Sequence, residues 1–475
     1  MKSLRSLSHF LRIYALVLML AILAGCALPQ GGTKPGPAKP QPAPSKSATV
    51  AIVVPRTEAA KVVRALIDGA RLGASKQTGA NPAKLRIIYT DGNWLNQIAQ
   101  LPDNSVVGGL LSDAAYNQMK GAGLLEKKVV FAFRSKLPAG DEGTRAWHFF
   151  HSLEDQVKAS TAFCVDALGV QSAAAFGPSD PFSNAYIGLL EKELAGRGVA
   201  LQRISAGGDA SQWGAILQPV VNPQTNETTG VKIPQTPFKA VFLTDTWRRL
   251  PAVTAAFASN GEERLYMIGT AIWDDTNVRG SQDAAKYALV AWPSAFLRNT
   301  APASLANTNF GNFWGALGYD FVRFASRLNI KGRPDSAAVT AAARSTSSMS
   351  FAMAPISYNA QGKASQKLYM VQAGTGSTVL ADSASMMEAK NAAVQRVEMR
   401  GVAPETTPDG QPVQPGQDAP LAEAPEGSVP PVSVSVPVQP KAAAPRTAPA
   451  AQPANAPIMR TTPNSSYKLS LPGAR

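Results

Sequence analysis

Short apolar runs alternate with segments of helical periodicity through the middle of the chain. "TVAIVV" (49–54) is apolar throughout, which predicts a strand buried on both faces. "EAAKVVRALIDGARLGASKQ" follows, with Val62, Leu66, Ala70 and Gly73 on one helical face. "LRIIYT" predicts a second strand, "DGNW" a loop, "SVVGGLL" a third strand and "KVVFAF" a fourth; Ser112 or Asp113 caps the helix after the third. The pattern then restarts. "HFFHSLEDQVKASTAFCVDALG" passes into a helix with Val157, Cys164 and Leu168 inward. "SAAAF", "KAVFLT" and "RLYMIG" are strands, separated by the helices "NAYIGLLEKELAGRG" and "RLPAVTAAFASNG". "YALVAW" and the helix "FWGALGYDFVRFASRL" come later, with Leu317, Phe321, Phe324 and Leu328 on one face. A last strand pair, "SFAMAPISYN" and "KLYMVQAG", closes the region. Strands separated by helices predict an α/β fold with parallel sheets covered on both faces. Two such units with later returns predict two lobes with several crossings.

The ends differ from this middle. Lys2, Arg5 and Arg12 precede the apolar run "YALVLMLAILAG", and small residues lead into Cys26, a secretory signal too short for a stable span. Leu23-Ala24-Gly25-Cys26 resembles the bacterial lipobox. That resemblance implies cleavage at residue 25 and lipidation of Cys26, with enough acyl chains for stable anchoring. Ala27, rather than an aspartate, resembles the outer-membrane sorting choice of Gram-negative lipoproteins, so the expected location is the periplasmic face of that membrane. Residues 26–47 read as a semi-rigid Pro-rich tether. Residues 386–475, Pro- and Ala-rich towards their end, read as a mostly disordered tail with too little to bury.

The formal charge is +14; signal and tether each carry three basic residues, and the tail from Gly401 balances, which leaves +8 on the centre. That sign suits an anionic envelope polymer or lipid surface. No arginine-rich block with interleaved aromatics points to nucleic acid. With Cys26 lipidated, Cys164 has no disulfide partner and reads as a small buried hydrophobe. No G-x-S-x-G, Walker A, H-E-x-x-H or paired C-x-x-C motif occurs, so neither an enzyme nor a cofactor is expected. An S-x-x-K match at Ser465 and Lys468 falls in the tail. His148 and His151 lack further donors for a metal.

Three stretches carry a family resemblance: "AIVVP" with "ALIDGARLGA", "FLTDTWRRLPAVTAAFASNGEERLYMIGTAIWDD", and "FWGALGYDFVRFA". With the order of elements, they resemble the type I periplasmic-binding-protein fold of the leucine/isoleucine/valine-binding proteins. Within it, the chain is most similar to the lipoprotein branch of penicillin-binding protein activators. The long insertion "PVVNPQTNETTGVKIPQTPFKA" fits that branch, since amino-acid binders have a short connection there. Two departures are the first loop, "PRTEAA" in place of a glycine-containing one, and a tether in place of a helical-repeat domain. The resemblance implies one domain over 48–385, with lobe 1 at about 48–148 and 268–345 and lobe 2 at about 149–267 and 346–385. It implies either regulation of a peptidoglycan synthase, a penicillin-binding protein, or solute reception for an ABC importer with its permease as partner.

In open parallel sheets, ligands bind beyond the carboxyl ends of the strands. The expected cleft lining is Arg56, Thr57, Asp91, Trp94, Ser112, Asp113, Arg134 and Ser135 from the first lobe. From the second come Ser179, Asp180, Asp245 and Trp247, with Trp273 and Asp274 near a crossing. The tryptophans either stack on a sugar or apolar group or pack inside, and burial habits favour packing. Asp274 beside Asp275 reads as a cap or an interlobe contact. In amino-acid binders the serine matching Ser112, with the helix start, receives the ligand carboxylate. Asp113 would repel that carboxylate, so a free amino acid is expected to be a poor ligand.

Overall fold

The computed structural model describes residues 49–56, 61–77, 82–274, 284–330, 335–375 and 377–400. The signal segment, Cys26, the tether, Thr57, Asp275 and everything after Arg400 lie outside the described residues.

The first sheet is parallel, ordered β2-β1-β3-β4-β5, from β1 (Thr49–Val54), β2 (Lys84–Tyr89), β3 (Val106–Gly109), β4 (Val129–Ala132) and β5 (Trp147–His148). Helix α1 (Lys61–Ser75) buries the predicted face, Val62, Leu66, Ala70 and Gly73. "DGNW" is less of a loop than expected: Trp94 opens a short helix, α2 (Trp94–Ala99), and is 4% exposed. Helix α3 (Asp113–Gly121) is capped by the Ser112 side chain, which accepts from the Ala115 N–H at 3.2 Å. After β5 the chain enters α4 (Leu153–Thr161) through a capping box formed by Ser152 and Asp155. A π-helical turn, Ala162–Ala167, extends α4 and buries Cys164, whose thiol is pushed up to about 12 by that burial.

The second sheet is ordered β16-β15-β12-β11-β10-β6-β7, with β15 (Tyr369–Ala373) and β16 (Thr378–Leu380) at one edge. Its parallel part is β6 (Ser172–Gly177), β7 (Ala200–Ser205), β10 (Ala240–Leu243), β11 (Tyr266–Ile268) and β12 (Val290–Ser294). Helices α5 (Pro181–Ala195), α6 (Trp213–Val221) and α7 (Leu250–Ala258) connect these strands, and the predicted insertion holds a small hairpin, β8 (Gln224–Thr225) with β9 (Lys232–Ile233). The chain then returns to the first lobe as α8 (Phe313–Arg327) and α9 (Ser336–Ser345).

Four sequence expectations change here. The last two apolar runs do not pair with each other. "ISY" forms β13 (Ile356–Tyr358), which pairs with β14 (Ala364–Gln366), whereas "YMVQA" is β15 (Tyr369–Ala373), antiparallel to β12 and to β16 (Thr378–Leu380). The lobe limits also move: β11 and β12 belong to the second sheet, so lobe 2 runs past residue 268. Conversely, the β13–β14 hairpin is fastened to lobe 1, Tyr358 Oη donating to the His148 carbonyl at 2.7 Å and the Ala364 N–H to Glu142 Oε1 at 3.2 Å. An apolar run predicts a strand but not the sheet that adopts it. Lastly, a helix, α10 (Ser383–Arg400), occupies the start of the expected tail. Met386, Ala393 and Val397 are buried, Lys390 Nζ donates to the Arg264 carbonyl at 2.7 Å, and Arg400 grips Glu263 through two bonds of 3.0 Å. Its sparse apolar positions keep helical spacing, enough to dock on a surface already formed.

Apolar clusters flank both sheets. In lobe 1, α8 crosses α1 at backbone contact. A Cβ at Gly69 would lie 1.9 Å from the Gly315 carbonyl oxygen, and one at Gly318 would lie 2.1 Å from that of Leu66.

Candidate functional site

Both sheets reverse strand order once, between β1 and β3 and between β6 and β10, and the candidate residues follow the carboxyl ends of these strands and their neighbours.

In the first lobe they form two groups, each built on an arginine–aspartate pair. Arg56 is ion-paired with Asp91, and its guanidinium lies 4.6 Å from the Tyr89 ring centre. Arg134 is ion-paired with Asp113 and lies 5.1 Å from the Tyr116 ring centre. Ser112, Asp113 and Arg134 are therefore brought together at the start of α3, with Ser135 half-buried beside them in sequence. Asp113 in the first turn of α3 also suits the helix dipole. The turn leading there is tight: Gly109 has φ +106°, and Leu110 adopts φ 56°, rare for a branched side chain. The expected repulsion by Asp113 needs revision, because its charge is held by Arg134. An incoming carboxylate would meet a guanidinium that Asp113 already partners through Nη2, while its buried Nη1 has no hydrogen-bond partner in the protein.

In the second lobe, Asp180 caps α5, accepting from the N–H groups of Phe182 and Ser183 at 2.8 and 2.9 Å. Ser179 is exposed and its Oγ meets Ser205 Oγ at 2.9 Å. Asp245 accepts from the Thr246 N–H at 2.6 Å and faces Arg249 at 3.6 Å. Trp273 is 1% exposed and donates from Nε1 to the Asp245 carbonyl at 2.7 Å, so it ties two strand-end loops together. Trp247 is half-buried, and Asp274 accepts from Ser294 Oγ at 2.7 Å. Trp94 and Trp273 thus take the packing role.

Sequence reasoning missed Tyr89 and Tyr116, the rings under the two arginines. It also missed Thr244 and Thr270, which follow β10 and β11; both are buried, and neither hydroxyl has a hydrogen-bond partner in the protein. A threonine at or just past the end of a predicted strand, as in "KAVFLT" and after "RLYMIG", is the signal that could have found the two threonines. His148 Nδ1 meets Glu142 Oε1 at 2.8 Å, whereas His151 is buried between Phe150 and Phe313, and burial pushes it down to about 3. Among the described residues no three His, Cys, Asp or Glu side chains converge as a metal-ligand set. A pocket of about 400 Å³ lies at the opposite end of the first sheet, lined by Lys128, Val129, Arg145, Trp147 and Asp335 among others, and includes none of the predicted site residues.

No protein-family model matches the chain, and no curated protein matches it in sequence. Solved structures do match. An ABC transporter substrate-binding protein from Desulfitobacterium hafniense is 13% identical with a TM-score of 0.52, covering 70% of this chain and 99% of that one. The leucine-binding protein LivK from Thermotoga maritima is 14% identical with a TM-score of 0.50, covering 70% and 98%. LpoA from Haemophilus influenzae is 12% identical with a TM-score of 0.50, over 71% of this chain and only 58% of LpoA. At such identities the likeness establishes the fold: the chain has the two-lobed type I periplasmic-binding-protein fold. The matched structures are binding proteins and LpoA, which is described as a regulator of PBP1A. Among the described residues no helix is long and apolar enough to cross a membrane.

Proposed function

We propose that this chain is an envelope lipoprotein, anchored through Cys26 on the periplasmic face of an outer membrane, whose two-lobed domain docks on a peptidoglycan synthase and regulates it. The observation that carries this reading is the Arg134–Asp113 pair at the start of α3. There the cation and the helix end already have an acid of the chain's own, which disfavours capture of a free amino acid and leaves the domain as a docking module. Fold alone does not choose, because one fold hosts many functions. The test is a pull-down from detergent-solubilised envelopes, with the chain from Ala27 to Arg475 as bait. The expected result is retention of a penicillin-binding protein at moderate salt, with a changed polymerase or transpeptidase rate. Recovery of an importer permease instead would overturn the reading.

The alternative is the receptor lipoprotein of an ABC importer for an amino acid, peptide or related small polar ligand. The buried, unpartnered hydroxyls of Thr244 and Thr270 beyond β10 and β11 favour it. Calorimetry separates the two. The docking reading expects no heat from leucine at micromolar concentration, and expects Asp113→Asn to improve any weak carboxylate binding by freeing Arg134. Micromolar leucine binding by the unaltered protein would move the assignment to the receptor.

A further inference from the structure

We propose that Asp320 is a proton-controlled latch on the segment that braces two of the passages between the lobes. Asp320 lies mid-way along α8 with its side chain fully buried. Its carboxylate accepts from the Ala352 N–H through both oxygens, at 2.9 and 2.8 Å, and from the Met353 N–H at 2.8 Å. The next residue is the brace. Ala354 donates its N–H to the Ala295 carbonyl at 2.7 Å, just past β12, where the chain leaves the second lobe. The Ala354 carbonyl accepts from the Gln366 side chain, at the end of β14, just before the chain re-enters that lobe at β15. One carboxylate therefore holds the segment on which two passages rest.

The surroundings make the latch sensitive to protons. Asp320 has one charged neighbour among the described residues acting on it, Arg323 of the same helix. Arg323 Nη1 is 3.5 Å from the carboxylate and donates mainly to the Ser350 carbonyl, at 2.9 Å. The faces packed around this part of α8 are apolar: Leu66, Gly69 and Ala70 from α1, Phe131 and Phe133 from the first sheet, Phe149 from the first passage, and Phe351 and Met353 from the brace. Burial pushes the carboxyl up, against the two N–H groups and Arg323, to about 7. Protonating Oδ1 would end its bond from Ala352 and leave Oδ2 accepting from both N–H groups without the charge that strengthens those bonds. The carboxyl is higher in the folded protein than in the unfolded chain. Its contribution to stability is therefore greatest below about pH 4 and falls as pH rises towards 7, while the latch itself is firmest above 7. The inference concerns movement between lobes and stands with either functional reading.

The experiment uses the full chain with Cys26→Ser, labelled with 15N-methionine, the Met353 amide being assigned through Met353→Leu. The expected result is a step in the Met353 amide shift between pH 5.5 and 8.5, centred near 7 and absent in Asp320→Asn. Small-angle scattering should show a radius of gyration that differs between pH 6 and pH 8 in the unaltered protein but not in the variant. A flat Met353 titration, a step that survives in Asp320→Asn, or a radius indifferent to pH overturns the proposal. If Asp320→Asn does not fold, Arg323→Gln tests the same carboxyl: its step should move to higher pH, and an unmoved step overturns the assignment.

Discussion

Gly69→Val should leave little folded protein. A Cβ there would sit 1.9 Å from the Gly315 carbonyl oxygen and within 3 Å of two more backbone atoms of α8. Backbone cannot swing aside as a long side chain can, so α8 has to lift from α1. That separation opens the core around Leu66, Leu317, Phe321 and Phe324. Overpacking of a well-packed core costs roughly 1–3 kcal/mol, and a helix pair pressed to backbone contact belongs at or beyond the upper end. The measurement is urea unfolding followed by circular dichroism. Gly188 in α5 supplies the contrast, because a Cβ there meets nothing within 4 Å. Gly188→Ala should raise stability by about 0.5–1 kcal/mol through helix propensity. Equal midpoints for Gly69→Val and the parent would refute the close crossing.

Asp141→Ala should be comparably damaging, for an electrostatic reason. The Asp141 side chain is fully buried and accepts from Tyr116 Oη at 3.0 Å, Lys120 Nζ at 2.8 Å and Arg145 Nη1 at 2.8 Å. Removing it strands a buried phenol, which costs about 1–3 kcal/mol, while the partly exposed Lys120 and Arg145 are left to water. Burial pushes the Asp141 carboxyl up, but its bonds from Lys120, Arg145 and Tyr116 hold it below the usual range. The folded value thus lies below the unfolded one. The stabilisation is present above about pH 4 and is lost as pH falls through the folded value. Asp141→Asn should flatten this acid limb of the stability curve, measured as midpoint against pH from 2 to 7. An unchanged limb would remove Asp141 from the account. Tyr116 is also the ring beneath Arg134, so loosening it should disturb the start of α3 as well.

Much of the scaffold was legible because local rules and tertiary demands agree. The runs at 49–54, 172–176 and 240–243 are apolar on both faces, as central parallel strands must be, and they became β1, β6 and β10. Ser112 was readable as a cap because a serine before a helical pattern can satisfy an otherwise free N–H. The last strands were less legible: "ISY" and "YMVQA" have similar composition, yet one forms a hairpin against lobe 1 and the other an edge of the second sheet. Helix α10 was hidden because only a few buried positions anchor it.

The candidate site divides along the same line. Local sequence marked where strands end and so which residues could gather there, because strand direction and helical phase are short-range properties. Pairing was decided only by tertiary structure. Arg134 is 21 residues from Asp113, and Arg56 is 35 from Asp91. Whether a charge is open to a ligand or already satisfied depends on which strand lies next to its own, and hydrophobic pattern does not encode that neighbour. The alternation of strands and helices by itself determined an α/β chain of two units. The sheet that took each late strand, the acid that took each arginine, and the burial of Asp320 beneath the passages were set by packing between distant segments.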